Sequence, residues 1–293
     1  MSHDAGGVTR VVCAQIAPVV GDLEGNVKRV LKAVHRSLSD HADVIILPEL
    51  STSGYVFDSA DEARSVALTQ DDEFFHRLAA TLRETETIVV LGFCEQGPGD
   101  TLWNSAALVD ATGVVSVYRK THLWDRESMI FTHGDNPAPV IETAHGRIGV
   151  LICYDLEFAE MPRALALAGA DLIVVPTNWP LGEHPTDERA AEIIYAQAAA
   201  RANGVFIACC DRSGIERGQT WIEGSVIIDQ FGWVRAAATH GGRTTSATNT
   251  VLLNDEPRAT ADVFLRLSRD KSISPHNDLL RDRRPDLYAK GTA

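Results

Sequence analysis

Three short runs of branched apolar residues, each closing on a reactive side chain, constrain this 293-residue chain more than any other feature. Asp43–Leu50 reads D-V-I-I-L-P-E-L and places Glu49 directly after residues that belong in a core. The stretch from Gly113 to Leu123 reads G-V-V-S-V-Y-R-K-T-H-L and ends its apolar run at Lys120. Arg147–Asp155 reads R-I-G-V-L-I-C-Y-D and reaches Cys153. Such runs are the pattern of buried strands, and open α/β sheets collect their sites at the carboxyl ends of strands. A fold that satisfies all three runs brings a carboxylate, an ammonium and a thiol to strand ends.

Glu157–Ala168, E-F-A-E-M-P-R-A-L-A-L-A, follows the third run at once. Met161, Ala164, Leu165 and Ala168 recur at i, i+3, i+4 and i+7, which predicts a helix with those residues on its inner face. Cys153 then stands at a strand-to-helix corner, where unpaired N–H groups and the positive end of the helix dipole stabilise a thiolate. The plainer alternative is that Cys153 is a small buried hydrophobe, as free cysteines commonly are. Likewise Glu49 and Lys120 form, on the plainer reading, a buried ion pair or two separately solvated charges.

Around these runs the predicted order is strand Thr9–Ala17, a turn at Gly21–Asn26, and a helix marked by Val27, Val30, Leu31, Val34 and Leu38. After Glu49 comes a polar loop, Ser51–Ser59, carrying Tyr55 and Phe57, then a helix marked by Phe74, Phe75, Leu78 and Leu82 and a strand at Ile88–Phe93. Ser105–Val109 and Val114–Tyr118 flank Asp110–Gly113, a loop of hairpin length and chemistry. Part of the sheet is therefore antiparallel, which excludes a plain doubly wound fold. A long connection, Thr121–Ile141, holds Trp124 and Glu127, and long connections in compact chains are commonly functional. Leu172–Pro176 is a strand leading to Asn178 and Trp179, followed by a helix over Asp187–Ala202 and strands at Val205–Cys210, Ser225–Asp229, Trp233–Ala238 and Thr250–Leu253. Asp255–Arg269 reads as a helix and about 270–293 as a surface extension. No linker interrupts the order, so residues 1–293 are expected to form one domain.

Composition enters mainly by what it excludes. A net charge of −13 without a Lys/Arg cluster makes a poor partner for nucleic acid or an anionic membrane surface. No apolar run is long enough to span a bilayer, and Met1–Arg10 lacks the pattern of a signal peptide. Five cysteines, an odd number, point to a reducing, cytoplasmic setting rather than a disulfide framework. Cys13, Cys94, Cys209 and Cys210 sit in strand-like contexts and read as core, and no metal-ligand spacing occurs among the cysteines or histidines. Ser268–Lys271 matches S-x-x-K without its companion motifs and counts as coincidence.

A cysteine hydrolase needs a nucleophile, a base and an oxyanion site. Cys153 supplies the first, Glu49 with a pKa raised by desolvation the second, and Lys120 with the backbone N–H of Tyr154 the third. P-E-L-S-T-S-G-Y around Glu49, Y-R-K-T-H-L around Lys120 and G-V-L-I-C-Y-D-L-E-F around Cys153 resemble the three signature stretches of the nitrilase superfamily. A-Q-I-A-P, G-D-L-E-G-N, W-N-S-A, A-L-A-G-A-D-L-I-V-V-P-T-N-W and R-R-P-D-L-Y extend the resemblance along nearly the whole chain. Three motifs in order are a specific signal.

The resemblance implies an α/β fold, a four-layer α-β-β-α sandwich of two mixed sheets, paired with further copies into a homodimer or larger homo-oligomer, without metal or cofactor. It implies Glu49 as general base, Lys120 as oxyanion stabiliser and Cys153 as a nucleophile that forms a thioester, with Glu127 as the supporting second glutamate. Ala159 replaces a proline frequent in relatives, and A-A-R-A-N at 199–203 replaces R-A-x-E-N, so an ion pair built there in relatives is not expected here. Cys-Tyr-Asp looks more like branches that cleave amides or N-carbamoyl compounds than true nitrilases. Leu156-Glu157-Phe158 lacks the arginines that grip a substrate carboxylate, which favours a neutral or cationic substrate. Tyr55, Trp124, Asn178 and Trp179 are candidates for its pocket. The expected activity is hydrolysis of a small aliphatic carboxamide, with an N-carbamoyl amine as the alternative, a nitrile behind both, and a non-catalytic protein on the same fold last.

Overall fold

The computed structural model describes residues 7–183, 185, 187–238 and 257–288. In chain order the elements are β1 (Thr9–Ala14), α1 (Leu23–Ser39), β2 (Val44–Ile46), α2 (Ala60–Ser65), α3 (Glu73–Leu82), β3 (Ile88–Gln96), β4 (Leu102–Asp110), β5 (Gly113–Arg119), β6 (Val140–Thr143) and β7 (Gly146–Val150). Then follow α4 (Glu160–Leu167), β8 (Leu172–Pro176), α5 (Ala191–Asn203), β9 (Phe206–Cys210), the short pair β10 (Ile215–Glu216) and β11 (Gln219–Thr220), β12 (Val226–Ile228), β13 (Val234–Ala237) and β14 (Arg258–Val263). A small hairpin, β15 (Ser272–Ser274) with β16 (Asn277–Asp278), and α6 (Pro285–Tyr288) complete the described chain.

Two six-stranded sheets form, ordered β14-β1-β2-β3-β4-β5 and β13-β12-β9-β8-β7-β6. Both are mixed: β1, β2 and β3 run parallel, as do β7, β8 and β9, while the outer pairings are antiparallel. Strand side chains alternate between faces, and the sequence sorts accordingly. Val11, Cys13, Val44, Ile46 and Val90 face the second sheet, in one core with Ile148, Val174, Ile207 and Ile227. Their neighbours Val12, Ala14, Ile45, Val89 and Leu91 face outward onto Val30, Val34, Phe75 and Leu78 of α1 and α3. On the far side Gly149 lets α4 approach, since a Cβ there would lie 3.0 Å from Leu165. The layers are therefore helix, sheet, sheet, helix, the expected four-layer α-β-β-α sandwich. Cover on both faces explains why the runs of β2 and β7 are continuously apolar; the Lys120 run, expected to be equally buried, is β5 at the edge of its sheet and mostly half-buried, with Val115 44% exposed.

Several local expectations need correction. The helix after Cys153 begins at Glu160, and its buried residues are Pro162, Leu165 and Ala166, while Ala164 and Ala168 face solvent. With alanine at nearly every second position, apolar spacing alone does not choose between adjacent faces. The tail Arg258–Val263 is strand β14, paired antiparallel to β1, and only Leu265–Arg269 is a single 3₁₀ turn. R-A-T-A-D-V has period two, with Ala259 and Val263 turned into the core. The helix expected from Asp187 starts at Ala191. The strand expected at Thr250–Leu253 lies outside the described residues. Ser268 bonds to the Leu265 carbonyl at 2.7 Å and Lys271 to the Gly204 carbonyl at 2.7 Å, so the S-x-x-K match is no catalytic pair. Cys13, Cys94, Cys209 and Cys210 are free and buried. Among the described residues no helix is long and apolar enough to cross a membrane, and no group of three or more potential metal ligands occurs.

Candidate active site

β3 runs parallel to β2 and antiparallel to β4, which is antiparallel to β5, so β2 and β5 point the same way. Glu49, three residues beyond β2, and Lys120, the first residue beyond β5, thus emerge at one edge of the first sheet. Cys153 follows β7, and Asn178 follows β8, at the matching edge of the second. Glu49 N–H donates across the interface to the Thr177 carbonyl at 3.4 Å, and Asn178 Nδ2 donates to the Glu49 carbonyl at 2.9 Å. These bonds stitch the two strand-end clusters together.

At Glu49 the chain turns sharply. Leu50 has φ +50°, a conformation that costs a non-glycine residue about 1–3 kcal/mol. The turn lies against Gly92 of β3, where a Cβ would meet Leu50 N at 2.4 Å and Glu49 Cα at 2.5 Å. Only glycine permits that approach. Glu49 is fully buried, and its Oε1 accepts from Asn104 Nδ2 at 2.7 Å and from Lys120 Nζ at 2.6 Å. Its Oε2 has no hydrogen-bond partner among the described residues. Lys120, also fully buried, divides its ammonium between Glu49 and Glu127 Oε1, the latter at 2.7 Å. The same Glu127 oxygen accepts the Tyr55 hydroxyl at 2.5 Å.

Two carboxylates around one ammonium set the proton affinities. Burial pushes Glu49 up to about 7 against the pull of Lys120, with the Glu127 charge adding to the rise. Burial pulls Lys120 down, but Glu127 and Glu49 outweigh it and hold the ammonium charged well above its ordinary range. Burial, then the Glu49 charge, push the Cys153 thiol well up; Lys120 and the backbone N–H of Asn178 act in the opposite direction. Burial thus favours the neutral form of the Cys153 thiol and brings the Glu49 carboxyl near neutrality.

The corner at Cys153 differs from the expected helix start. Cys153 has φ +46° and opens a lone 3₁₀ turn, Cys153–Glu157, so no α-helix dipole begins there. What holds the turn is Asp155, fully buried and absent from the expected site. Its Oδ2 accepts from Tyr118 Oη at 2.9 Å and from Ile152 N at 3.3 Å, and its Oδ1 accepts from His122 N at 2.9 Å. Tyr118 and His122 flank Lys120 at two residues' distance, so one carboxylate ties the cysteine turn to the lysine strand. His122 also stacks on Phe158, ring centroids 3.7 Å apart.

Of the pocket candidates, Tyr55 reaches the charged cluster through its hydroxyl. Trp124 is 42% exposed and packs edge-on against Tyr154 at 4.9 Å. Asn178 spends its amide nitrogen on the Glu49 backbone. Trp179 is buried in the core between the sheets, its backbone N–H donating to Asp211 Oδ1 at 3.0 Å. Asn104 and Asp155 were missed because their partners lie 55 and 33–37 residues away. A signal for each was present, in W-N-S-A and in the aspartate two residues after the cysteine.

The profile of the carbon–nitrogen hydrolase family matches residues 10–252. The chain is 32% identical to a nitrilase of Pyrococcus abyssi over 96% of this chain and 99% of that protein, and 33% identical to an (R)-stereoselective amidase of a Pseudomonas species over 97% and 94%. It is 30% identical to the N-carbamoylputrescine amidase of Solanum tuberosum over 91% and 89%. Among solved structures, a variant of the amidase from Nesterenkonia sp. AN1, with acrylamide added to its active-site cysteine, superposes with TM-score 0.74 at 25% identity, covering 97% of this chain and 99% of that one.

Proposed function

This chain belongs to the carbon–nitrogen hydrolase family, and on that footing we propose that its strand-end cluster is an amidase centre acting on small aliphatic carboxamides. The observation that carries the assignment is the fully buried Lys120 ammonium shared by Glu49 and Glu127, with Glu49 Oε2 left unbonded and its charge acting on the Cys153 thiol. Glu49 takes the thiol proton as Cys153 Sγ attacks the amide carbon. The oxyanion that forms is held by Lys120 and the N–H of Tyr154. Glu49 returns the proton to the departing ammonia, leaving a thioester on Cys153. Water, deprotonated by Glu49, attacks the thioester and releases the carboxylate, and the proton goes back to the thiolate. Glu127 keeps Lys120 charged and in place.

For the substrate, the stretch after the nucleophile presents Glu157 rather than an arginine, and burial followed by the nearby Glu192 charge raises that carboxyl. A fixed acid at the turn disfavours a substrate carboxylate and tolerates a neutral or cationic group. Ammonia release is expected to be fastest with small neutral amides, slower with N-carbamoyl amines, and far slower with N-carbamoyl amino acids and nitriles. Faster turnover of N-carbamoyl amines, with carbon dioxide appearing beside ammonia, moves the assignment to the second reading, which the likeness to N-carbamoylputrescine amidase supports.

The chain is further proposed to work as a homo-oligomer in a reducing, cytoplasmic setting. Five free, buried thiols support the setting. Support for self-association comes from α5, whose solvent face carries Ile194, Ala198 and Ala202. A helix apolar on nearly every side belongs in an interior. Sedimentation is expected to find a dimer or larger assembly, and Ala198→Arg to shift it toward monomer; a monomeric parent protein removes this assignment.

A further inference from the structure

We propose that Glu216, clamped by Arg212, is a positioning residue for the charged cluster, acting through Tyr55; this rests on the amidase reading of that cluster. Glu216 lies in β10, far from the three signature stretches in sequence. Its Oε2 accepts both Tyr55 N–H at 2.9 Å and Val56 N–H at 2.8 Å. The same oxygen is 3.0 Å from Arg212 Nη1. Both side chains are nearly wholly buried, Arg212 at 1% exposure and Glu216 at 4%. Arg212 is itself pinned, donating to the Pro18 carbonyl at 2.5 Å and lying over the Trp221 ring at 4.7 Å. Trp221 in turn meets the Tyr55 ring edge-on at 5.6 Å. Gly54 completes the fit: a Cβ there would stand 2.3 Å from Val20 Cα and 2.8 Å from Glu216 Oε1.

Tyr55 is thus fixed at its backbone by Glu216 and at its ring by Trp221, and its hydroxyl lands on the Glu127 oxygen that also takes Lys120. A buried ion pair of this kind is a doubtful source of net stability, because desolvation offsets much of its attraction. Its evident effect is geometric. A charged acceptor facing two adjacent backbone N–H groups makes strong bonds, and these orient the loop that follows Glu49. The Tyr55 hydroxyl offsets part of the Glu127 charge, and that charge already raises Glu49. Loosening Tyr55 therefore moves Glu49 further up and removes one of the bonds that fix the Glu127 carboxylate beside Lys120.

The test measures kcat and KM across pH for Glu216→Ala, Glu216→Gln, Tyr55→Phe, the Glu216→Ala/Tyr55→Phe double variant and Lys120→Ala. Glu216→Ala is expected to lower kcat about 10-fold with a smaller change in KM, and to move the acid limb upward by about half a unit, as loss of one hydrogen bond to a charged group implies. Glu216→Gln, which keeps an acceptor for the two N–H groups, is expected to recover part of both effects. Tyr55→Phe is expected to shift the limb equally, and the double variant to be no worse than the poorer single one, since the residues act in series. An unmoved acid limb in Glu216→Ala, or additive losses in the double variant, overturns the proposal. Normal turnover in Lys120→Ala instead overturns the amidase reading of the cluster, so the two failures are distinguishable.

Discussion

Replacing Cys153 by alanine is expected to reduce amide turnover by about 10⁴-fold or more, the scale on which loss of a nucleophile acts when the remaining groups depend on it. The protein should remain folded. Cys153 is 6% exposed and ends no hydrogen-bond network that the fold relies on, whereas Asp155, which holds the turn, is untouched. Alanine at φ +46° bears the same backbone strain as cysteine, and loss of one sulfur atom at the wall of a site costs about 1 kcal/mol or less. Thermal unfolding and activity on the same preparation check both halves. Mass spectrometry of the parent protein quenched during turnover is expected to show the acyl group on Cys153 and none on Cys13, Cys94, Cys209 or Cys210. Normal activity in Cys153→Ala, or acylation elsewhere, removes the assignment.

Glu49→Gln is expected to cost about 10³-fold in kcat/KM, as removal of a general base does, and to erase the acid limb of the pH profile. The sign follows from the chemistry. Only the carboxylate can accept the thiol proton, so activity rises with pH through the Glu49 pKa, which burial pushes up to about 7. Below that value the parent enzyme should lose tenfold per pH unit. Glutamine keeps an oxygen for Asn104 and Lys120 but does not titrate, so its residual rate should be flat across the same range. A second carboxylate makes the variant informative. Burial also raises Asp211 to about 7, against backbone N–H groups of Gly224, Trp179 and Arg212. If the limb survives in Glu49→Gln, the titrating group is Asp211 or another, and Glu49 is not the base.

Much of the site was legible because reactive residues interrupt apolar runs. Glu49 and Cys153 follow apolar residues whose burial in β2 and β7 delivers them to strand ends, whereas Lys120 follows Arg119 on β5, a mostly half-buried strand at the sheet edge. Glu127 was legible only through the family resemblance, which places a second glutamate after the lysine. The supports were not. Asp155 is two residues from Cys153, yet its bonds go to Tyr118 and His122, and Glu216 reaches Tyr55 across 161 residues. No local periodicity encodes such partners. Trp179 packs in the apolar cluster that also holds Cys153, and Asn178 bonds the Glu49 carbonyl while its backbone N–H faces the Cys153 thiol, contacts that the position after β8 does not specify.

The amino-acid order alone determined that the Glu49 and Cys153 runs are covered on both faces, where the β4–β5 hairpin turns, and which three strand ends bear a carboxylate, an ammonium and a thiol, because burial and turn preference act over a few residues. The tertiary structure decided the rest. It placed R-A-T-A-D-V beside β1 as a strand, chose the Pro162–Leu165–Ala166 face of α4 over its neighbour, and replaced the expected helix start at Cys153 by a 3₁₀ turn held by Asp155. Each of those outcomes depends on which groups meet after two sheets have stacked. Contacts between residues tens or hundreds of positions apart exist only once the order β14-β1-β2-β3-β4-β5 against β13-β12-β9-β8-β7-β6 has been set.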